Sequence, residues 1–156
     1  MTQFAAKTTV SSFRSREEIE RTLDRYGADQ FIYGKERTSS YLAFRMNDRQ
    51  IKFILPMPDK DDFAETPKGK IRTAASQEKE YEQAVRQKWR ALNLVIKAKL
   101  EAIESGITEF EDEFLAHIML PDGSTAGDYM KPQIDKAYDT GNMPTLLPDY
   151  SNERKK

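Results

Sequence analysis

The chain has no cysteine in its 156 residues, and it has only one histidine and one tryptophan. The absence of cysteine excludes a disulfide framework and a thiolate metal site. His117 and Glu113, four residues apart in the sequence, supply two ligands, which is too few for a metal centre. A catalytic triad would have to use His117, and no serine stands in a glycine-elbow context. We therefore expect a protein that is not an enzyme and that has no metal or cofactor.

Long apolar runs are also missing. No segment approaches the roughly 18 consecutive apolar residues of a membrane span, and the N-terminus lacks the basic, apolar and small-residue order of a signal peptide. These absences predict a cytoplasmic protein with no membrane partner. Opposite charges nearly cancel, with 25 Lys and Arg against 26 Asp and Glu, so only the local distribution of charge can indicate a partner.

The clearest helix signal covers residues 76–106. Ala, Leu, Glu, Lys, Gln and Arg fill most of its positions, and these residues lose little side-chain freedom in a helix. Ser76 is the predicted N-cap, and Gly106 followed by Ile107 is the predicted C-terminal stop. Apolar residues recur at spacings of three and four, which places them on one stripe: Val85, Trp89, Leu92, Ile96, Leu100 and Ile103. We expect this helix to be the spine of the domain.

Shorter signals predict the remaining elements. A capping box from Ser15 to Glu18 begins a short first helix, and a second box, from Thr108 to Glu111, begins another. Three strand-like runs predict strands over residues 30–33, 41–46 and 50–55, and apolar residues alternate along the second and third of them. A last helix begins at Ser124 or Thr125 and ends at Gly141, and its apolar side is Tyr129, Ile134 and Tyr138. The predicted fold class is α+β: a short N-terminal helix, a three-stranded antiparallel meander packed on a long helix, then two shorter helices.

The domain organisation follows from the breaks in these patterns. We expect a flexible arm over residues 1–14, a single domain over 15–148 and a tail over 149–156. Three prolines, Pro56, Pro58 and Pro67, predict a long loop over residues 56–75. Loops of this length are usually functional or disordered, and the pattern favours neither a binding loop nor a solvated tether. The apolar segment 143–148 is expected to lie extended along a groove.

Basic residues concentrate on the predicted spine, with five between Arg86 and Lys99 and no acidic residue among them. Arg86, Arg90 and Lys97 fall on one stripe, whereas Lys88 and Lys99 lie near the apolar arc and are expected to snorkel or to pair with carboxylates. Aromatic residues interleaved with Lys and Arg are typical of single-stranded nucleic-acid binding. The first hypothesis is therefore contact with single-stranded or duplex nucleic acid, through Arg86, Arg90, Lys97, Lys68, Lys70, Arg72, Tyr41, Arg45 and Lys52.

Acidic residues follow the basic cluster, with eight between Glu101 and Tyr129 and no Lys or Arg. Ion pairs between the basic and acidic helices would be a purely structural use of both clusters. The alternative function is a protein-binding inhibitor or modulator of a host defence factor, which would use Glu109, Glu111, Asp112 and Glu113. A virion component that self-associates is a third interpretation.

Six stretches of the sequence carry a resemblance to known proteins: residues 26–31, 53–58, 88–92, 96–101 and 114–118, and the proline-punctuated segment 143–148 at the end. Together they resemble a family of small uncharacterised proteins carried by bacteriophages and prophages. The resemblance covers residues 15–148. It implies a phage or prophage setting, with no assigned activity and no site residues to transfer.

Overall fold

The computed structural model describes residues 5–143, and it shows an α+β architecture. The helices are α1 (Ser12–Arg25), α2 (Ala74–Glu104), α3 (Phe110–Phe114) and α4 (Ala126–Thr140), and the strands are β1 (Gln30–Lys35), β2 (Ser39–Met46) and β3 (Arg49–Pro56). Short 3-10 turns cover Lys60–Phe63 and Leu115–His117. The predicted fold class is confirmed.

The three strands form an antiparallel meander in the order β1-β2-β3. Asn47 and Asp48 join β2 to β3 with φ angles of 51° and 57°, the left-handed pair that a tight hairpin turn requires. An isolated bridge between Ile51 and Ile118 extends the pairing beyond β3, and the Met119 N–H donates to the Gln50 carbonyl at 2.8 Å. The segment after α3 is therefore attached to the sheet edge.

One face of the sheet packs on the helices. Leu42, Phe44 and Met46 of β2 are buried, as are their neighbours Ile51 and Phe53 in β3. On the helix side, the buried residues of α2 include Trp89, Leu92, Ile96 and Leu100. Both sets were expected from their periodicity, period two for the strands and 3.6 for the helix, and both predictions are confirmed.

Phe114 of α3 closes the core. It is fully buried, and its ring meets Phe44 and Phe53 edge-on, with centroids 6.0 Å and 6.2 Å apart. Edge-to-face contacts of this kind are favourable beyond the apolar area that they bury. The short helix α3 thus has a packing role despite its five residues.

The ends of the spine differ slightly from the prediction. Thr73 is the N-cap of α2, and its hydroxyl accepts from the Ser76 N–H at 3.2 Å, so the helix begins before Ser76. At the other end Gly106 adopts φ 72°, and the Ile107 N–H returns to the Ala102 carbonyl at 2.9 Å. This is the expected glycine-dependent stop, although Ile107 is 80% exposed, so the expected closing contact buries little of its side chain.

The first helix begins earlier than expected. Ser11 is its N-cap and accepts from the Arg14 N–H, whereas Ser15 is fully buried inside the helix. The predicted capping box at Ser15 is therefore wrong, and the predicted arm ends at Ser11 instead of residue 14. Part of that arm is docked, because Gln83 of α2 donates to the carbonyls of Ala6 and Thr8 at 3.1 Å and 2.9 Å.

The connection between β3 and α2 is folded against α2. Gln77 donates to the Lys60 carbonyl at 2.9 Å, Lys60 pairs with Glu78, and the Phe63 ring meets Tyr81 edge-on. The predicted proline-rich loop thus begins after Pro56 and ends at Thr73. Its contacts attach it to the N-terminal turns of the spine.

The last two helices correct two expectations. The N-cap of α3 is Glu109, which makes no side-chain hydrogen bond to the helix, so the predicted capping box beginning at Thr108 is wrong.

The N-cap of α4 is Thr125, which forms a capping box with Asp128. Thr125 is one of the two predicted starts of this helix. None of the residues of α4 is buried, and Tyr138 is 86% exposed. The expected apolar side of α4 therefore does not enter the core. Of the predicted segment 143–148 only Met143 is described, and it is 86% exposed; residues 144–148 and the predicted tail lie outside the described residues.

Candidate nucleic-acid interface

Two of the three predicted stripe residues converge on one carboxylate of α1. Glu18 Oε2 lies 2.9 Å from Arg90 Nη1 and 3.3 Å from Lys97 Nζ, and it also accepts from Asn93 Nδ2 at 2.8 Å. Arg14 lies farther away, at 3.9 Å from Glu18 Oε1. The stripe of α2 is thus turned toward α1, and Arg90 and Lys97 serve the packing of the two helices.

The protonation of Glu18 reflects this setting. Burial alone would raise its pKa, but the hydrogen bonds from Asn93, Lys97 and Arg90 outweigh burial and hold the pKa below its ordinary value of 4.5. Glu18 is therefore charged near neutral pH. Arg90, with its side chain 25% exposed, is less accessible to phosphate than a free surface arginine.

The third stripe residue, Arg86, lies apart from this cluster. Its guanidinium donates to Gln83 Oε1 at 2.6 Å and 3.3 Å, and Glu82 is 3.9 Å away. Arg86 lines a groove between α1, α2 and the start of β2. The structure therefore does not bring the three predicted residues together as one free basic surface.

The basic residues of the β3–α2 connection have two different environments. Arg72 donates to the carbonyls of Phe63 and Glu65 at 3.2 Å and 2.6 Å and so holds the connection in shape. Lys68 and Lys70 are exposed beside Gly69. Within residues 5–143, no contact described for Lys68, Lys70 or Arg72 joins them to Arg86, Arg90 or Lys97.

The outer face of the sheet brings two other predicted residues together. Lys52 Nζ lies 5.1 Å from the centroid of the Tyr41 ring, a cation–π distance. Tyr41 lies opposite Gly34 in the register, and its ring occupies the space that a side chain at position 34 would need. Gly34 thus allows the Tyr41 ring to lie across the neighbouring strand.

Arg45 completes the predicted set on this face. Its guanidinium forms two hydrogen bonds with the Asp29 carboxylate, one of them 2.8 Å from Nε to Oδ1. This pairing holds the pKa of Asp29 below its usual range. Asp29 lies just before β1, so the Arg45 charge is locally balanced at one end of the sheet.

Around Tyr41 the outer face is open, and the nearest carboxylates come from outside the strands: Asp29 pairs with Arg45, and the charge of Lys52 lowers the pKa of Asp128 in α4. Ile32 and Ile54 are 56% and 54% exposed, because α1, α2 and α3 pack on the opposite face. A depression of about 240 Å³ is lined by Gln30, Ile32, Tyr41, Ala43, Phe44, Gln50, Lys52 and Met119. The outward positions of the three described strands are Gln30, Ile32, Gly34, Ser39, Tyr41, Ala43, Arg45, Gln50, Lys52, Ile54 and Pro56, without any Asp or Glu.

The acidic residues of the alternative hypothesis are partly engaged. Glu113 pairs with Lys99 at 2.9 Å, which confirms the expected pairing of Lys99 with the acidic helix. Glu111 pairs with Arg49 at 2.8 Å. Glu109 and Asp112 are exposed. Three of the four proposed carboxylates are therefore exposed, and two of these, Glu109 and Asp112, have no ion pair among those described.

The His117 side chain packs against an aromatic residue of β3. Its ring stacks on Phe53, with centroids 4.0 Å apart and planes 23° from parallel. Burial, together with the nearby charges of Lys99 and Lys131, lowers its pKa.

Among residues 5–143, no group of three or more His, Cys, Asp or Glu could hold a metal ion. None of the helices in this range has the length and the apolar composition of a membrane span.

Sequence reasoning found Tyr41, Arg45 and Lys52 but missed the residues around them. Gln30 and Gln50 flank Arg45 in the register, and Ile32 and Ile54 flank the Tyr41–Ala43 segment. The sequence analysis did not assign these four residues to a face, and the strand pairing shows that they surround Tyr41. Comparison with known proteins adds no further assignment: no family model, no curated protein and no solved structure matches the chain.

Proposed function

We propose that the protein contacts single-stranded nucleic acid through the outer face of its sheet, as a non-enzymatic accessory protein of phage type. The observation that carries the proposal is an open sheet face with Tyr41 at its centre, two cations and no carboxylate on its strands. The resemblance to phage and prophage proteins supplies the biological setting.

The chemistry of this face suits an unpaired strand better than a duplex. Unpaired bases stack on aromatic side chains and contact sheet surfaces, and this stacking accepts any base. Tyr41 is the stacking group, and the exposed Ile32 and Ile54 extend the apolar surface beside it. The amides of Gln30 and Gln50 offer donors and acceptors to base edges.

Phosphate contacts fall to Lys52 and Arg45. Lys52 is held above the Tyr41 ring by a cation–π contact and has a flexible stem, so it can turn to a phosphate when a base takes its place on the ring. Arg45 keeps its carboxylate partner Asp29, and we expect it to contribute less. The exposed Lys68 and Lys70 are not among the residues that line the depression, and the proposal does not require them.

The test is a binding titration of a fluorescent oligothymidylate by anisotropy at several salt concentrations. Tyr41→Ala is expected to weaken binding about ten-fold or more, since one base–aromatic stack contributes about 1–3 kcal/mol. Lys52→Gln is expected to weaken binding and to reduce the slope of log K against log salt by about 0.7, the value for one phosphate on a single strand. An unlabelled duplex should compete poorly.

The control variant is Lys79→Gln, which removes one exposed cation from α2. It should leave both affinity and salt slope unchanged. The proposal would be refuted if the parent protein did not bind the oligonucleotide at low salt. It would also be refuted if Tyr41→Ala and Lys52→Gln bound it as tightly as the parent. If Arg90→Gln abolished binding while Tyr41→Ala and Lys52→Gln did not weaken it, the interface would be the basic stripe of α2 instead of the sheet face.

A further inference from the structure

A second concave site lies on another part of the molecule. It is a groove of about 440 Å³ between the start of α1, the hairpin end of β1 and β2, and the N-terminal half of α2. This volume is within the range of about 300–1,000 Å³ that small-molecule sites occupy. The groove and the outer sheet depression share no lining residue.

Three cations from three elements line this groove. They are Arg16 of α1, Lys35 of β1 and Arg86 of α2. Glu82 is the one carboxylate among the described lining residues; its side chain is 59% exposed and its oxygen lies 3.9 Å from Arg86. The lining therefore has a surplus of two positive charges, in a protein whose total charge is −1.

The two guanidinium groups are held by neighbours that leave donors available. Arg86 is fixed through Nε and Nη2 to Gln83 Oε1, a neutral acceptor. The Arg16 guanidinium lies 5.3 Å from the centroid of the Trp89 ring. A guanidinium has five N–H donors in a planar fork that matches phosphate oxygens. Both groups are thus oriented without a strong competing carboxylate.

Three aromatic rings, those of Tyr33, Tyr81 and Trp89, form part of the wall. Trp89 is buried and contacts Tyr33 edge-on, with centroids 6.2 Å apart. The Tyr33 hydroxyl donates to the Arg16 carbonyl at 3.0 Å, and burial raises the pKa of Tyr33 to about 12, so this bond persists at neutral pH. The half-buried Tyr81, braced by Phe63, also faces the groove. The walls thus combine ring surfaces with fixed cations.

We propose that this groove binds a small phosphate-bearing ligand with a planar ring, of the nucleotide class. The surplus positive charge and the two guanidinium groups in the lining select the phosphate, and the aromatic and apolar walls accept the ring. The inference does not depend on the nucleic-acid proposal, since the two sites have different residues. A nucleotide in the groove would add a second, small-molecule binding function to the fold.

Trp89 makes the test direct, because it is the only tryptophan in the chain and lies in the groove wall. The probes are AMP, ATP, adenosine and inorganic pyrophosphate, titrated while tryptophan fluorescence is recorded, with calorimetry as an independent readout. We expect saturable changes with AMP or ATP. Adenosine, which has the ring without phosphate, and pyrophosphate, which has phosphate without the ring, should each bind at least about ten-fold more weakly.

Variants localise the site. Arg16→Gln and Arg86→Gln are each expected to reduce nucleotide affinity about ten-fold or more, as loss of a charge-assisted hydrogen bond predicts. Lys35→Gln, at an exposed strand end, gives a third variant that does not disturb the core. Arg21→Gln is the matched control on α1, because Arg21 pairs with Glu17 outside the groove.

Three results would overturn the inference. The first is no saturable signal or heat with any probe at millimolar concentration. The second is equal nucleotide affinity in the parent and in Arg16→Gln, Arg86→Gln and Lys35→Gln, each shown to be folded by circular dichroism. The third is binding of citrate as tight as that of AMP, which would indicate an unspecific anion site. Tyr41→Ala should leave the nucleotide titration unchanged, so failure of the strand-binding proposal remains distinguishable.

Discussion

Arg90 of α2 donates a hydrogen bond of 2.9 Å to the carboxylate of Glu18 on α1, across 72 residues of sequence. The same oxygen accepts from Asn93 and Lys97, so a single carboxylate organises three polar side chains of the spine. This cluster fixes how α1 lies on α2. It also decides which basic residues of the spine are available to a ligand.

Removing this carboxylate should destabilise the fold. Glu18→Ala leaves the fully buried Asn93 and the partly exposed Arg90 and Lys97 without this acceptor, and we expect the free energy of unfolding to fall by about 1–3 kcal/mol. Urea unfolding at pH 7 measures the change. The control is Glu17→Ala, whose only described ion pair is the exposed one with Arg21, and which should change stability little. Equal effects of the two variants would contradict a structural role for Glu18.

The Glu18 cluster also predicts an acid limit of stability. The folded pKa of Glu18 is lower than its ordinary value of 4.5, so the unfolded chain binds this proton more readily than the folded chain. The stabilisation is therefore present above pH 4.5 and is lost as the pH falls through the folded pKa. Urea unfolding of the parent and of Glu18→Gln should show curves that converge at low pH. A stability difference that stays constant between pH 6 and pH 3 would contradict the assignment.

Gly34 and Tyr41 give a prediction for the sheet. A methyl group at position 34 would overlap the Tyr41 ring, while the backbone of Gly34 has no left-handed φ that would resist alanine. Gly34→Ala should therefore keep the fold, displace the ring and lower both strand affinity and stability, the latter by about 1–3 kcal/mol. In a Tyr41→Ala background the same substitution should be nearly neutral, because its steric partner is gone. Additive effects in this double-mutant cycle would disprove the contact.

His117 predicts a second pH effect. Burial, Lys99 and Lys131 hold its pKa below the ordinary value of 6.5, so protonation is less favourable in the folded chain than in the unfolded one. Its contribution to stability is full above pH 6.5 and is lost as the pH falls through the folded pKa. The chain has one histidine, so a single imidazole C2–H resonance reports its titration in NMR. A midpoint at or above 6.5 would contradict the buried environment beside Phe53.

Periodicity was sufficient to predict most of the fold. Leu42, Phe44 and Met46 alternate along β2, and Trp89, Leu92 and Ile96 follow helical spacing, because burial selects apolar residues at the period of each element. The start of α1 was mispredicted because Ser11 offers an equivalent cap one turn earlier, while Glu18 finds its partners on α2. Local capping rules contain no information on such distant partners.

The candidate site was only partly predictable for a related reason. Helical spacing correctly placed Arg86, Arg90 and Lys97 on one face, but it does not tell which neighbour that face meets. The structure turns Arg90 and Lys97 to α1 and Arg86 to the groove. Tyr41 and Lys52 were predicted on the outer sheet face, and their contact follows from a pairing register that the sequence alone does not specify.

The most direct test of strand binding at the sheet is chemical-shift mapping of the ¹⁵N-labelled protein with an unlabelled oligothymidylate. The account predicts that the largest amide shifts fall on outward-facing strand residues around Tyr41, Ala43 and Lys52, and that the Tyr41 ring protons move with them. The amide resonances of the residues around Glu18, Arg90 and Lys97 should not shift. Shifts confined to α1 and α2, or no shifts at saturating oligonucleotide, would contradict the claim that the sheet face is the interface.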